Sequence, residues 1–326
     1  MKYFLDTEFL EGQQRKRIFG VPALELRWDE TGHAEIYKPY TKPTIDLISI
    51  GIVAEDGREY YAISKDFNLK EAWNRFQLKA TIIPLGNIKK EGPGVAKVYW
   101  LRENVLKPIF KDMLHGINPA KHDIFNSELK EFNYRNFNKL LSLYGKTNKQ
   151  IAEEIKAFCI VNSWHTSTYS REQPFGFTKS VKKYFNYEEA LQKMENIKND
   201  YVSNGAYDLS ARLIEEKDYP EFYAYYADYD WVVFCWLFGK MIDLPAGFPM
   251  YCRDLKQVLD EKAKLKIQDY CFGDTEEEKN RMIDRSIPGQ VESFKTFKNY
   301  PQQENEHNAL SDARWNKKLY EFLNNL

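Results

Sequence analysis

A chain of 326 residues and 38.6 kDa, with 43% hydrophobic and 29% charged residues, can bury a full core and has the proportions of a soluble globular protein; no apolar run nears the ~18 residues that span a bilayer, and the N-terminus lacks the basic, apolar and small-residue regions of an export signal. Cys159, Cys235, Cys252 and Cys271 are scattered, with no Cys-x-x-Cys pair and no histidine at ligand spacing, which excludes a zinc or disulfide framework and suits reduced thiols in the cytoplasm. A net charge of −1 does not by itself announce a nucleic-acid binder.

The first stretch, Tyr3 to Leu10, is an apolar run with aromatic neighbours and reads as a buried strand. Asp6 and Glu8 sit in it at i and i+2, so both point to one face of the sheet. Two like charges on a mostly buried strand repel and resist desolvation, and an oxygen-preferring divalent cation is the simplest partner that stabilises them. The triplet recurs at Asp274-Thr275-Glu276, but there it lies in a polar run without apolar flanks, the pattern of a solvated loop or acidic face.

Residues 11–40 are polar, and the alternating Leu24-Glu25-Leu26-Arg27-Trp28 and Ala34-Glu35-Ile36-Tyr37 around Asp29-Glu30-Thr31-Gly32 predict a hairpin on an arm leaving the sheet. Residues 45–53 and 59–63 predict a second and third strand, joined closely enough to make an antiparallel meander. Residues 67–94 read as an irregular excursion. Between residues 65 and 150 there are 16 Lys/Arg against 8 Asp/Glu, a balance that fits either a phosphate-backbone ligand or a solvated lysine-rich surface.

Leu101, Val105, Ile109, Phe110 and Met113 predict a helix, and a second begins after the N-cap candidate Thr147. Residues 163–217 read as a mainly helical insertion. Residues 221–227 predict a strand leading into a helix, Pro249-Met250-Tyr251-Cys252 a fifth strand, and Asp254 the start of another helix. Residues 269–306 are polar surface, and residues 308–323 form a last amphipathic helix. Three antiparallel strands followed by two strands joined through helices predict an α/β fold with a mixed sheet covered on both faces.

Two further acidic positions stand out. His307-Asn308-Ala309-Leu310-Ser311-Asp312 sets a histidine five residues before an aspartate. Within one helix the two would point about 140° apart, so His307 is expected on the preceding loop, where it can swing over a site that Asp312 faces. A plain first-turn acid favoured by the helix dipole also accounts for Asp312. Asp228 and Asp230 both sit where an aromatic strand turns into a helix, and either can be an N-cap.

Taken together, Asp-x-Glu on a first strand, an aspartate after a later strand, and His-x4-Asp opening a late helix resemble the DEDDh group of 3′–5′ exonucleases. Within it, Phe4-Leu5-Asp6-Thr7-Glu8-Phe9, Asp46-Leu47-Ile48-Ser49-Ile50-Gly51-Ile52-Val53, Trp100-Leu101-Arg102-Glu103-Asn104-Val105, Tyr225-Tyr226-Ala227-Asp228-Tyr229-Asp230-Trp231-Val232, Leu237-Phe238-Gly239-Lys240-Met241-Ile242-Asp243-Leu244-Pro245 and His307-Asn308-Ala309-Leu310-Ser311-Asp312-Ala313-Arg314-Trp315-Asn316 are similar to the RNase T-like 3′-exoribonuclease family of bacteria and phages.

The resemblance implies a ribonuclease-H-like, five-stranded α/β domain with a core of about 1–10, 44–66, 97–162, 219–265 and 300–326. Insertions then fall at about 11–43, 67–96, 163–217 and 266–299. It implies Asp6, Glu8, Asp230 and Asp312 as ligands of two Mg2+ ions, with Mn2+ able to substitute, and His307 as general base; it selects Asp230 over Asp228. Thr7, Phe9, Leu10 and Trp231, beside these residues, are candidate substrate contacts; for Phe9 and Leu10, packing into the core is the alternative. The implied activity removes nucleoside 5′-monophosphates from the 3′ end of single-stranded RNA. A DNA exonuclease and a catalytically weak nucleic-acid-binding protein are the rivals, and a homodimer is allowed. The residue types suit the chemistry: two divalent ions about 3.5–4 Å apart activate water and stabilise a leaving oxygen, and an imidazole accepts a proton near neutral pH.

Overall fold

The computed structural model describes residues 1–18, 21–28, 34–37, 39–85, 90–115, 131–170, 177–184, 186–203, 209–271, 273 and 275–326. The first strand, β1 (Lys2–Gly12), is followed by two small ribbons, β2 (Arg17–Ile18) with β3 (Val21–Pro22) and β4 (Glu25–Trp28) with β5 (Ala34–Tyr37). The second is the expected hairpin, with Leu26 opposite Ile36; its turn, 29–33, lies outside the described residues. β6 (Thr44–Ala54) and β7 (Glu59–Ile63) complete the antiparallel meander with β1.

The segment expected to be irregular is ordered: α1 (Leu69–Asn74), capped by the Asn68 side chain, precedes a hairpin of β8 (Gln77–Leu85) and β9 (Lys90–Val98). Gly92, Pro93 and Gly94 suggested a loop, yet they lie within β9 opposite Ile83, Ile82 and Thr81. A two-stranded ribbon leaves an outer edge unpaired on each strand, so the missing proline N–H is tolerated there. A helical stretch from Trp100 follows, with a π turn at Arg102–Leu106 running into α2 (Lys107–His115). α3 (Tyr134–Tyr144) comes next, then α4 (Asn148–Cys159), where Thr147 and Gln150 form a capping box.

The described residues of 163–217 are mainly strand, which corrects the expected mainly helical insertion. β10 (Val161–Ser170), β11 (Phe177–Tyr184) and β12 (Leu209–Asp218) form an antiparallel sheet in the order β11-β10-β12, with one helix, α5 (Tyr187–Ser203). The segment is aromatic and charged, but β10 is rich in Thr, Ser and aromatic residues, of which Thr and the aromatics favour a strand.

The chain then returns through β13 (Glu221–Ala224), α6 (Ala227–Leu237), β14 (Arg253–Asp254) and α7 (Leu255–Ile267). The fifth strand thus starts at Arg253, just past the expected Pro249–Cys252 run, and Asp254 both ends it and caps α7. A further helix, α8 (Glu276–Lys295), occupies the segment expected to be polar surface, burying Ile283, Val291 and Phe294. Thr275 of the repeated triplet caps it, Glu276 stands in its first turn, and Asp274 lies outside the described residues. α9 (Ala309–Asn324) closes the chain, capped by Asn308.

The main sheet runs β14-β13-β1-β6-β7, with β13 and β14 parallel to β1 and the other pairs antiparallel. This is the expected α/β arrangement, a mixed five-stranded sheet flanked by helices. On one face Tyr3, Leu5, Ile50 and Ile52 pack with residues of α4 and α6. On the other, Phe4 packs with α7, α8 and α9, while Leu10, Ile48 and Ile63 pack with α2 and α3. Asp6 and Glu8 fall on this second face, between those two apolar clusters. No helix among the described residues is long and apolar enough to cross a membrane, and all four cysteines are free thiols.

Candidate active site

β1 brings Asp6 and Glu8 to the α9 side of the sheet, opposite Gly51 and Ser49 of β6. Gly51 is the opening that lets α9 in. A Cβ there would lie 2.3 Å from the carbonyl oxygen of Ala309 and 2.4 Å from Cα of Leu310. The first turn of α9 therefore rests directly on the backbone opposite Asp6. Ala309, Asp312, Ala313 and Asn316 share the buried face of the helix, so Asp312 is a core-facing acid and not the surface acid that its helix position alone would allow. Asn316 holds the register, donating from Nδ2 to the carbonyl of Leu5 at 2.9 Å.

Asp230 arrives from another direction. The parallel pairing of β1 with β13 ends at Phe4 opposite Tyr223. Beyond it the edge of β1 is open, and Asp230 in the first turn of α6 takes the place of a strand. Its Oδ1 accepts the backbone N–H of Thr7 at 2.9 Å and the Thr7 hydroxyl at 2.5 Å. Asp230 is buried, whereas Asp228 is exposed; the turn feeding α6 passes through Tyr226 with φ of 56°, steadied by Asp254 accepting its N–H at 3.2 Å.

One carboxylate oxygen from each of Asp6, Glu8 and Asp312 lies within 4.8 Å of the others. Asp230 stands beside them, close enough to act on both Asp6 and Glu8. Burial raises Asp6 well above the usual carboxylate range, and the charged groups acting on it, Asp230, Glu8 and Asp312, are themselves carboxylates. Burial, then Asp312 and Asp230, push Glu8 up to about 8. Burial also raises Asp230 to about 7, against the lowering effect of its two Thr7 hydrogen bonds. Asp312 is raised by burial and partly restrained by Gln303, which donates to Oδ1 at 2.7 Å, and by the His307 N–H, which donates to Oδ2 at 2.9 Å. Clustered, desolvated oxygen donors whose mutual influence is repulsion are the donor set that a hard divalent cation satisfies.

His307 lies on the loop before α9 with φ of 66°, a strained backbone that Asp312 holds through the hydrogen bond to its N–H. Its ring meets the edge of Trp100, with centroids 4.8 Å apart. Sequence reasoning had assigned no role to Trp100, Gln303, Gly51 or Asn316. Three of them lay in the quoted motif blocks, and only Gln303 carried no signal.

The four candidate substrate contacts separate. Thr7 is buried and committed to Asp230. Leu10 is 1% exposed in the α2–α3 core, so the core-packing alternative holds for it. Trp231 is corrected likewise: its ring is buried against Phe222 and Phe234, and its indole N–H donates to the carbonyl of Met250. Phe9 alone remains half-open, stacked on Tyr229 at 5.6 Å and 19°.

No protein-family model matches the chain. Among curated proteins, it is 38% identical over 86 residues to a 3′-5′ exoribonuclease found in two strains of Mycobacterium tuberculosis. The aligned stretch is 26% of this chain and 34% of each relative, so the chain spans about a third of the length of the curated relatives it matches.

Proposed function

We propose that this chain is a divalent-cation-dependent 3′–5′ exonuclease of the DEDDh type, built on a ribonuclease-H-like fold, that removes nucleoside 5′-monophosphates from single-stranded RNA. The observation that carries the reading is the meeting of Asp6, Glu8 and Asp312 within 4.8 Å, with Asp230 beside them and His307 on the adjoining loop. The partial similarity to the mycobacterial exoribonucleases supports it and favours RNA over DNA. Two Mg2+ ions held by the four carboxylates, or Mn2+ in their place, would polarise the scissile phosphate and stabilise charge on the departing 3′-oxygen.

The chain's own groups do the rest. Thr7 fixes one oxygen of Asp230 and leaves Oδ2 for the centre. Gln303 and the His307 N–H orient Asp312. His307 accepts the proton of the attacking water, and Trp100 restrains its ring at the edge of the site. A single exonuclease domain carrying four insertions remains the organisation this reading favours, and the four free thiols suit a reducing cytoplasm.

The test is digestion of matched 5′-labelled RNA and DNA oligonucleotides in Mg2+, Mn2+ or EDTA. The reading expects a ladder shortening from the 3′ end of RNA, absent in EDTA. Preferential DNA shortening would replace the substrate assignment, and binding without cleavage in either metal would remove the enzymatic one.

A further inference from the structure

The loop that carries His307 has a backbone that costs free energy to hold. Asn305 and His307 have φ of 52° and 66°, values that residues bearing a side chain rarely adopt, so the surroundings must fix them. Part of the anchoring comes from α9, the helix into which the loop leads. Ser311 donates from Oγ to the carbonyl of Glu304 at 2.7 Å, Asp312 accepts the His307 N–H, and the Asn308 side chain accepts the Ser311 N–H at 3.0 Å. These bonds shape the loop against its own helix.

On another side the loop faces a cavity of about 540 Å3. Asn305, Glu306 and Asn308 border it from the loop, and Pro108, Lys111 and Asp112 border it from α2. That space gives a strained loop somewhere to relax into. A hydrogen bond spans from one border to the other: Asn308 donates from Nδ2 to Oδ2 of Asp112 at 2.6 Å, an amide bonded to a charged acceptor. Asp112 is presented by a fixed helix, because its neighbours Ile109, Phe110 and Met113 are buried in the core. Asn308 thus caps α9 with its oxygen and ties the loop to α2 with its nitrogen. The two partners stand 196 positions apart in the chain, so no local pattern announces the pair.

We infer that Asp112 is a positioning residue, which through Asn308 holds His307 beside the carboxylate cluster and keeps the loop out of the cavity. For its effect on rate, the inference rests on the reading of His307 as proton acceptor of a nuclease centre. Its effect on position stands without that reading.

The reporter of position is the His307 ring signal in NMR spectra, assigned by its loss in His307→Ala and displaced by the Trp100 ring, whose centre lies 4.8 Å away. Asn308→Asp still caps α9 but sets two carboxylates against each other, and Asp112→Ala removes the acceptor without adding charge. Each is expected to move the ring signal from its parental position. Each should also lower kcat about ten- to a hundredfold at parental KM, the scale of a misplaced catalytic group. Asp112→Asn combined with Asn308→Asp exchanges donor and acceptor across the same gap, and should recover signal and rate together. On a His307→Ala background, Asp112→Ala should cost nothing further, because the group it positions is gone. A parental ring signal in both Asn308→Asp and Asp112→Ala would overturn the inference. So would an exchanged pair that recovers neither signal nor rate, or an equal loss of rate with and without the imidazole. A parent that does not cleave RNA, with a ring signal that moves and recovers as expected, keeps the tie and removes the nuclease reading alone.

Discussion

At the scale of single residues, the proposed choice of Asp230 over Asp228 rests on two atoms of Thr7. Both bind Oδ1 of Asp230, and nothing comparable among the described residues holds the exposed Asp228. Asp230→Asn is therefore expected to lower the cleavage rate by several orders of magnitude, and Asp228→Asn by far less. Steady-state rates on one RNA oligonucleotide check this, and the reverse ranking would move the site by two residues. The proposed mechanism gives His307 a separate role, as proton acceptor. His307→Ala should slow cleavage by roughly 10²–10⁴-fold, the usual contribution of a positioned acid–base group. Cation affinity should survive in that variant, because the four carboxylates are intact; a drop in Mn2+ affinity would recast His307 as a ligand.

Among elements, the approach of α9 to β6 matters most, and Gly51 permits it. Adding one methyl group there places it 2.3 Å from a backbone oxygen of the helix, so the helix must move. Gly51→Ala should keep the sheet but carry Asp312 away from Asp6 and Glu8, cutting activity at least about a hundredfold and reducing the rise in melting temperature that Mg2+ produces. An alanine variant with parental activity and parental Mg2+ response would show that Asp312 is not placed by this contact. Much of this level could be read beforehand. The i, i+2 carboxylates of β1, the meander, the Thr147 cap and the loop position of His307 all follow from local periodicity and capping. The β8–β9 hairpin did not, because Gly92, Pro93 and Gly94 read as a loop, and the β10–β12 pairing did not, because its partners are distant in sequence. Nor could local pattern show that Trp231 and Leu10 turn inward, since an aromatic or aliphatic side chain suits either a core or a base.

For the whole molecule, the carboxylate cluster is a site of mutual repulsion, while the described residues are otherwise held by three apolar clusters. Glu8 is raised from 4.5 to about 8 and Asp230 from 3.8 to about 7. Between the ordinary and raised values the folded chain keeps protons that the unfolded chain has released. The contribution of these groups to stability in EDTA must then fall as pH rises from 3.8 to about 8. Thermal melts in EDTA across that window should show the decline, and Glu8→Gln should flatten it. Saturating Mg2+ should oppose the decline, because cations bind the ionised carboxylates. A slope in EDTA unchanged by Glu8→Gln would contradict the assignment of that strain to the cluster.

Calorimetric titration of Mn2+ into the parent and Asp6→Ala proteins at pH 6.5, in two buffers of different ionisation enthalpy, tests the central claim most directly. The account expects the parent to bind Mn2+ with release of protons, since Glu8, raised to about 8, must ionise to become a ligand. It expects Asp6→Ala to bind much more weakly while melting no lower than the parent in EDTA, because a repulsive neighbour has been removed. Equal Mn2+ affinity and equal proton release in the two proteins would place the cation elsewhere and contradict the account.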